Sequence, residues 1–149
     1  MYDVNVEITE FDKIFLTKSF VWLTDPEIKY LTLSPDIHNE EQQKWFSSLN
    51  NRDDYKIWGI AVKGIPIGAV GLKKINMKLL TAEYFGYIGE KEYWGQGIGT
   101  KMLSFAIDEA RKLGIKRLDI HVSDDNKRAI HLYEKLGFKD MGGGMSRKI

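Results

Sequence analysis

With 149 residues, 43% of them hydrophobic, the chain has the size of a single domain that buries a core without staples. It has no cysteine, which excludes a disulfide framework, a thiolate nucleophile and a cysteine-held metal. Its 22 basic and 21 acidic residues leave a net charge of +1, so a broad electrostatic grip on nucleic acid or anionic membrane is not expected, and any bound anion must be held locally.

The opening "MYDVNVEITEFDK" shows no basic region followed by an apolar run, and no apolar stretch approaches the roughly 20 residues of a membrane span. The expectation is a soluble, cytoplasmic protein whose residues 1–149 form one domain. Val4 to Ile8 alternates apolar and polar, as a half-buried strand does. "TDPEIKYL" places Pro26 just after Thr24 or Asp25 as cap, which predicts a short helix. "HNEEQQKWFSSL" predicts another, capped by Asn39, with Glu40 and Glu41 at the positive end of its dipole and Trp45, Phe46 and Leu49 as its apolar stripe. "YKIWGIAVKGIPIGAVGLKKI" reads as a tight antiparallel hairpin turning at Lys63 and Gly64, and Thr81 to Gly89 as a further, aromatic-rich strand.

The most regular helix follows. Met102, Leu103, Ala106, Ile107, Ala110 and Leu113 recur at helical spacing, with Arg111 and Lys112 in the last turn and Gly114 as the stop. "IKRLDIHVS" predicts a strand with Leu118, Ile120 and Val122 on one face. "DDNKRAIHLYEKLG" predicts a capped helix closed by Gly137, and "FKDMGGGMSRKI" leaves room for a short terminal hairpin. The order is antiparallel strands first, then strand, helix, strand, helix, strand: an α/β (α+β) chain.

Between the aromatic strand and the long helix lies "EKEYWGQGIGTKML" with Gly95, Gly97 and Gly99. A glycine-rich turn at a helix start aims several N–H groups at one place, and the helix dipole adds about half a positive charge there. Such a turn either packs strand against helix or holds an anion, most naturally phosphate. A P-loop needs Gly-Lys-Ser/Thr, whereas "GIGTK" has Thr100 before Lys101. A dinucleotide fingerprint needs a third glycine where Thr100 stands, in a parallel architecture that the antiparallel first half does not offer. A loop for the pyrophosphate of coenzyme A is the third reading.

"YWGQGIGTKML" resembles the acetyl-CoA loop of the GCN5-related N-acetyltransferases (GNAT), whose signature is Gln/Arg, two residues, Gly, one residue, Gly/Ala. Gly97 and Gly99 match its glycines, and Trp94 stands where Gln or Arg is commonest. "NKRAIHLYEKLGF", Asn126 to Phe138, is similar to the family's second signature. The "YWG" triplet, "WLTDPEIKYL" and "EEQQKWF" look like the branch that acetylates ribosomal protein N-termini and amino-sugar nucleotides. The resemblance implies a mixed, mostly antiparallel sheet with flanking helices and a splayed central strand pair, one strand of which carries a bulge. It also implies acetyl-CoA as co-substrate and transfer of its acetyl group to a primary amine by direct attack in a ternary complex.

By the same resemblance, Tyr133 is the general acid at the thioester sulfur and Glu83 the candidate base. Backbone of Tyr87, Ile88 and Gly89 faces the pantetheine arm, with an N–H near Ile88 polarising the carbonyl. Amides of Gly95, Gln96, Gly97, Ile98, Gly99 and Thr100 hold the pyrophosphate, Asn126 binds the arm, and Lys127 and Arg128 approach the 3′-phosphate. The residues themselves suit these roles: a tyrosine with a pKa of about 10 stays a donor at neutral pH, and Asn126 and Tyr133 share one helix face. Asn126 also reads simply as a helix cap, Glu83 as a paired strand carboxylate, and Lys127 and Arg128 as a solvated face.

His38, His121 and His131 lack ligand spacing, so no metal site is expected. Trp22, Trp45 and Trp58, with Tyr30 and Phe46, read as core before they read as an acceptor pocket. The acceptor stays open between a small molecule, such as an amino-sugar nucleotide or polyamine, and a protein N-terminus. The short terminal segment leaves one side of the pocket for a partner copy, in a homodimer, to complete. The rival reading is a non-catalytic coenzyme A or nucleotide sensor using the same loop.

Overall fold

The computed structural model describes residues 4–149. Seven strands form one sheet: β1 (Val6–Glu10), β2 (Lys56–Val62), β3 (Ile65–Asn76), β4 (Thr81–Ile88), β5 (Arg117–Ile120), β6 (Lys139–Asp140) and β7 (Met145–Lys148). Their order across the sheet is β1-β2-β3-β4-β5-β7-β6, antiparallel throughout except for the β4–β5 pair. A parallel pair needs a crossover, and the helix α4 (Ile98–Lys112) supplies it. The hairpin between β2 and β3 turns on Lys63 (φ 52°) and Gly64 (φ 76°), the positive angles that match the twist of a two-residue hairpin.

Helices cover both faces. On one side α4 and α5 (Lys127–Lys135) press Ile98, Met102, Leu103, Ala106 and Tyr133 onto Ile60, Val70, Leu72 and Leu118. On the other, α1 (Lys13–Thr24), α2 (Pro26–Leu31) and α3 (Asn39–Ser48) enclose a second core of Phe11, Phe15, Leu16, Trp22 and Ile28 against Ala61 and Ala69. The neighbours Ala69 and Val70 thus serve opposite cores, as successive residues of a central strand must.

Helix α1 has no counterpart in the expectations above. It is capped by Asp12, whose Oδ1 accepts from the amides of Ile14 (3.0 Å) and Phe15 (3.2 Å). Its β-branched and aromatic residues are weak helix formers, and tertiary burial of Phe15, Leu16 and Trp22 holds it instead. Asp25 caps α2, accepting from Glu27 N at 2.9 Å. For α3 the expected cap is corrected: His38 occupies that position without a side-chain bond, and Asn39 is the first helical residue.

β5 is shorter than "IKRLDIHVS" suggests. It stops at Ile120, where the last parallel pair is Tyr84 with Ile120, while β4 runs on to Ile88. The strands therefore splay. The expected bulge is not within the splayed stretch, because β4 pairs one-to-one with β3 from Glu83 to Ile88. It is displaced to the strand's end, where the amides of Gly89 and Glu90 both donate to the Ile67 carbonyl (2.6 and 3.2 Å).

Candidate active site

The gap left by β5 opens a groove of about 730 Å³ between the free edge of β4 and the starts of α4 and α5. Successive residues of a strand turn their main-chain groups to opposite edges. Gly89 N–H donates to Ile67, and the Tyr87 carbonyl lies against Gly68, so both face β3. The main-chain groups of Ile88 and Gly86 face the groove instead. The Ile88 carbonyl accepts a hydrogen bond from the indole Nε1 of Trp94 (2.8 Å). Gly89 itself is required by Trp22, whose ring occupies the space a Cβ would take.

The three loop glycines have two different causes. Gly95 (φ 75°) and Gly97 (φ 78°) adopt left-handed backbone, and a Cβ at either would meet nothing within 4 Å. Gly99 instead lies close to α5: a Cβ there would come within 2.9 Å of Leu132 Cδ2, the tip of a side chain that can move aside. Gly97 is the N-cap of α4 and offers no side-chain acceptor, so the helix's first amides lack a side-chain cap. Gly95, Gly97, Ile98, Gly99 and Thr100 all line the groove. Gln96 does not; its side-chain amide donates to the Glu92 carbonyl at 2.8 Å and braces the loop.

Across the groove, Lys127, Arg128 and Lys135 add positive charge, and the Arg128 guanidinium sits 5.4 Å over the Trp94 ring. The acidic groups on the same wall, Glu27 and Asp125, are already bonded to Lys91 and Tyr30. Asn126 caps α5 through Ala129 N (3.3 Å) and donates to the Leu31 carbonyl (3.3 Å), which ties α2 to α5 at the groove's edge.

A second cavity, about 240 Å³, lies on the α1–α3 side. Trp45, Tyr55, Phe85 and Tyr87 form much of its wall, with Lys73 and His121 at its polar end. Of the aromatic residues considered for an acceptor pocket, Trp45 lines it. Trp22 is core, Trp58 packs edge-on to Phe105 at 5.0 Å, and Tyr30 is an exposed partner of Asp125. The two cavities share Leu31, Thr32, Tyr84, Gly86, Tyr87, Asn126 and Tyr133 as walls. Tyr133 is 7% exposed, its ring edge-on to Tyr84 at 6.1 Å, and burial pushes its hydroxyl up to about 12, so it stays protonated at neutral pH.

Glu83 is buried at 6% exposure and borders neither cavity. Its carboxylate is met by Lys73 Nζ (3.2 Å), Lys74 Nζ (3.6 Å) and His121 Nδ1 (2.6 Å). His121, set aside in the sequence as an isolated histidine, is thus the group through which Glu83 reaches the smaller cavity. A carboxylate only accepts, so it selects the imidazole tautomer with the proton on Nδ1 and leaves Nε2 as a free acceptor. Among the described residues no cluster of three potential ligands could hold a metal ion, and no helix is long and apolar enough to cross a membrane.

Residues 20–138 match the Acetyltransferase (GNAT) family. The chain belongs to the GNAT family. An uncharacterized N-acetyltransferase of Methanocaldococcus jannaschii is 31% identical over 70% of this chain and 50% of its own length. A spermidine N(1)-acetyltransferase of Escherichia coli (strain K12) is 29% identical over 81% of this chain and 60% of its own length. The chain therefore spans half to three-fifths of these GNAT relatives. In structure it is similar to the spermidine N-acetyltransferase of Vibrio cholerae in complex with CoA and spermine, with a TM-score of 0.84 at 18% identity over 96% of this chain and 95% of that one. This likeness shows the GNAT fold.

Proposed function

We propose that this chain is an N-acetyltransferase that moves the acetyl group of acetyl-CoA onto a primary amine, either on a small molecule or at a protein N-terminus. The observation that carries this reading is the meeting of two cavities at Gly86 and Tyr133. One is the larger and is lined by the start of α4, which has no side-chain cap, and by Lys127, Arg128 and Lys135. The other is small and aromatic.

Acetyl-CoA supplies an activated thioester and is consumed as a substrate. The residues present fit it: the start of α4 and the open left-handed turns at Gly95 and Gly97 suit a diphosphate, and Lys127, Arg128 and Lys135 suit a further phosphate. The unpaired β4 edge suits an extended amide-bearing arm, which adds to it like a strand. In the ternary complex His121 Nε2, with Glu83 holding the ring, accepts the proton released by the attacking amine. The new C–N bond forms as the C–S bond breaks, and the Tyr133 hydroxyl protonates the departing sulfur. Burial keeps this hydroxyl protonated, though a weaker acid, so the proton is available when charge develops on the sulfur.

Thiol release from acetyl-CoA, followed over amino acids, amino sugars, polyamines and short peptides, tests the reading. Release that depends on a particular amine, and that Tyr133→Phe slows while acetyl-CoA binding is kept, is the expected result. Binding of acetyl-CoA with no release for any amine would instead mark a coenzyme A sensor.

A further inference from the structure

The smaller cavity has no acidic wall. Among the described residues that line it there is neither Asp nor Glu, and its charged or titratable groups are Lys73, His121 and Tyr55, besides Tyr84, Tyr87 and Tyr133, which it shares with the groove. Glu83 lies nearby but is buried beneath Lys73, Lys74 and His121. Lys73 lines the cavity, whereas Lys74 lies outside it; both meet the Glu83 carboxylate (3.2 and 3.6 Å), so Lys73 shares its counter-charge with a second lysine. The rest of the cavity's lining combines aromatic and aliphatic side chains, with Trp45 edge-on to Tyr55 at 5.6 Å and Tyr55 tilted on Phe85 at 5.4 Å, and uncharged polar ones, Ser19, Thr32, Ser34, Gln42 and Asn126. Glu27 and Asp125 belong to the larger groove and are engaged by Lys91 and Tyr30.

A polyamine brings two or more ammonium groups, of which one is deprotonated for reaction and the rest stay charged. Placing those charges in a cavity of this lining costs several kcal/mol per ion unless carboxylates meet them. Here a lysine meets them. A flat apolar body, by contrast, is favoured by the aromatic wall, and at about 240 Å³ the space is near the small end of ligand pockets, which run from about 300 Å³ upward.

We infer that the acceptor is a monoamine with an aromatic or branched apolar body and one carboxylate, the body against Trp45, Tyr55 and Phe85 and the carboxylate toward Lys73, and that polyamines are excluded. This inference rests on the acetyl-transfer reading above. It separates this chain from the spermidine acetyltransferases with which it shares its fold.

The test compares kcat/KM for thiol release with three groups of acceptors: aromatic and branched α-amino acids, their decarboxylated amines such as phenethylamine, and the polyamines spermidine and putrescine. The expected order is amino acid, then decarboxylated amine, then polyamine, with the best amino acid at least about tenfold above spermidine, the worth of one charge-assisted hydrogen bond. Lys73→Gln lowers the ratio of amino acid to decarboxylated amine about tenfold. That ratio is read within one variant, so a general loss of stability does not move it. Spermidine equal to or better than the apolar acceptors overturns the inference while leaving acetyl transfer intact, as does an unchanged ratio in Lys73→Gln. Release with none of the panel, acetyl-CoA still binding, overturns the inference; the acetyl-transfer reading falls with it only if amino sugars and short peptides release no thiol either.

Discussion

Nδ1 of His121 lies 2.6 Å from Oε1 of Glu83, a bond across the parallel strand pair at the point where that pair comes apart. The carboxylate is buried, its side chain 8% exposed, whereas the His121 side chain is 54% exposed to solvent and lines the smaller cavity. In the proposed reaction the two groups have different tasks: Glu83 orients, and His121 exchanges the proton.

His121→Ala therefore lowers kcat/KM by about 10²-fold, the usual worth of a positioned base. Glu83→Gln keeps the shape but removes the acceptor that selects the Nδ1–H tautomer, so it lowers activity too. Because the two act as a unit, the double variant is no worse than His121→Ala alone. Steady-state kinetics on the four proteins checks this. Additive losses would mean that Glu83 acts on the substrate by a separate route.

Tyr133→Phe removes a hydroxyl and almost no volume. The expected result is a fall in kcat of about 10²-fold or more with acetyl-CoA affinity within a few-fold of the parent, measured by single-turnover kinetics and calorimetry. A parallel loss of affinity would place Tyr133 in binding rather than in leaving-group protonation.

The residues most legible in the sequence are those whose reasons are local. The start of α4 is marked by glycines, its end by Gly114 (φ 86°), and the cap of α5 by Asn126, each set within a few positions of the chain. Helix α1 was not legible, because its cap is plain but its interior of Ile, Phe, Thr, Val and Trp carries a strand's propensity; only the core it covers decides the matter. The pairing of His121 with Glu83 has no local signature at all. It joins residues 38 apart and follows from a parallel register, Glu83 opposite Asp119, that no spacing within the chain reveals. The early end of β5 was hidden for the same reason, since Val122 continues the alternation that the sheet abandons.

The reason for Gly97 is conformational, which makes a sharper forecast than bulk alone. With no atom within 4 Å of a Cβ, a side chain there has room, yet φ of 78° penalises it. Asn tolerates that region and a β-branched residue does not. Gly97→Asn is therefore close to the parent in thermal stability, while Gly97→Val loses about 1–2 kcal/mol and, by shifting the loop, weakens acetyl-CoA binding as well. Equal effects of the two substitutions in calorimetry and thermal melting would contradict this account.

Burial of tyrosine gives the protein a predictable alkaline limit. Tyr133 is pushed up to about 12 by desolvation, and the hydroxyls of Tyr84 and Tyr87 are also raised by burial. Unfolded tyrosines titrate near about 10. Below that value both states are protonated and the contribution of these groups is present in full. Above it the unfolded chain releases protons that the folded chain retains, so stability falls by about 1.4 kcal/mol per pH unit for each such tyrosine until the folded value is passed. Urea midpoints are accordingly flat in these groups between about pH 7 and 9 and drop steeply beyond about 10, with tyrosinate absorbance from the buried residues appearing together with unfolding. Lysines also titrate in this range, so the decisive comparison is with Tyr133→Phe, whose midpoint declines less steeply than the parent's over the same interval. If the two declines coincide, and tyrosinate forms before the protein unfolds, then burial does not raise this hydroxyl above the ordinary tyrosine value, and the alkaline limit drawn from it is overturned, although an ordinary tyrosine still carries its proton at neutral pH.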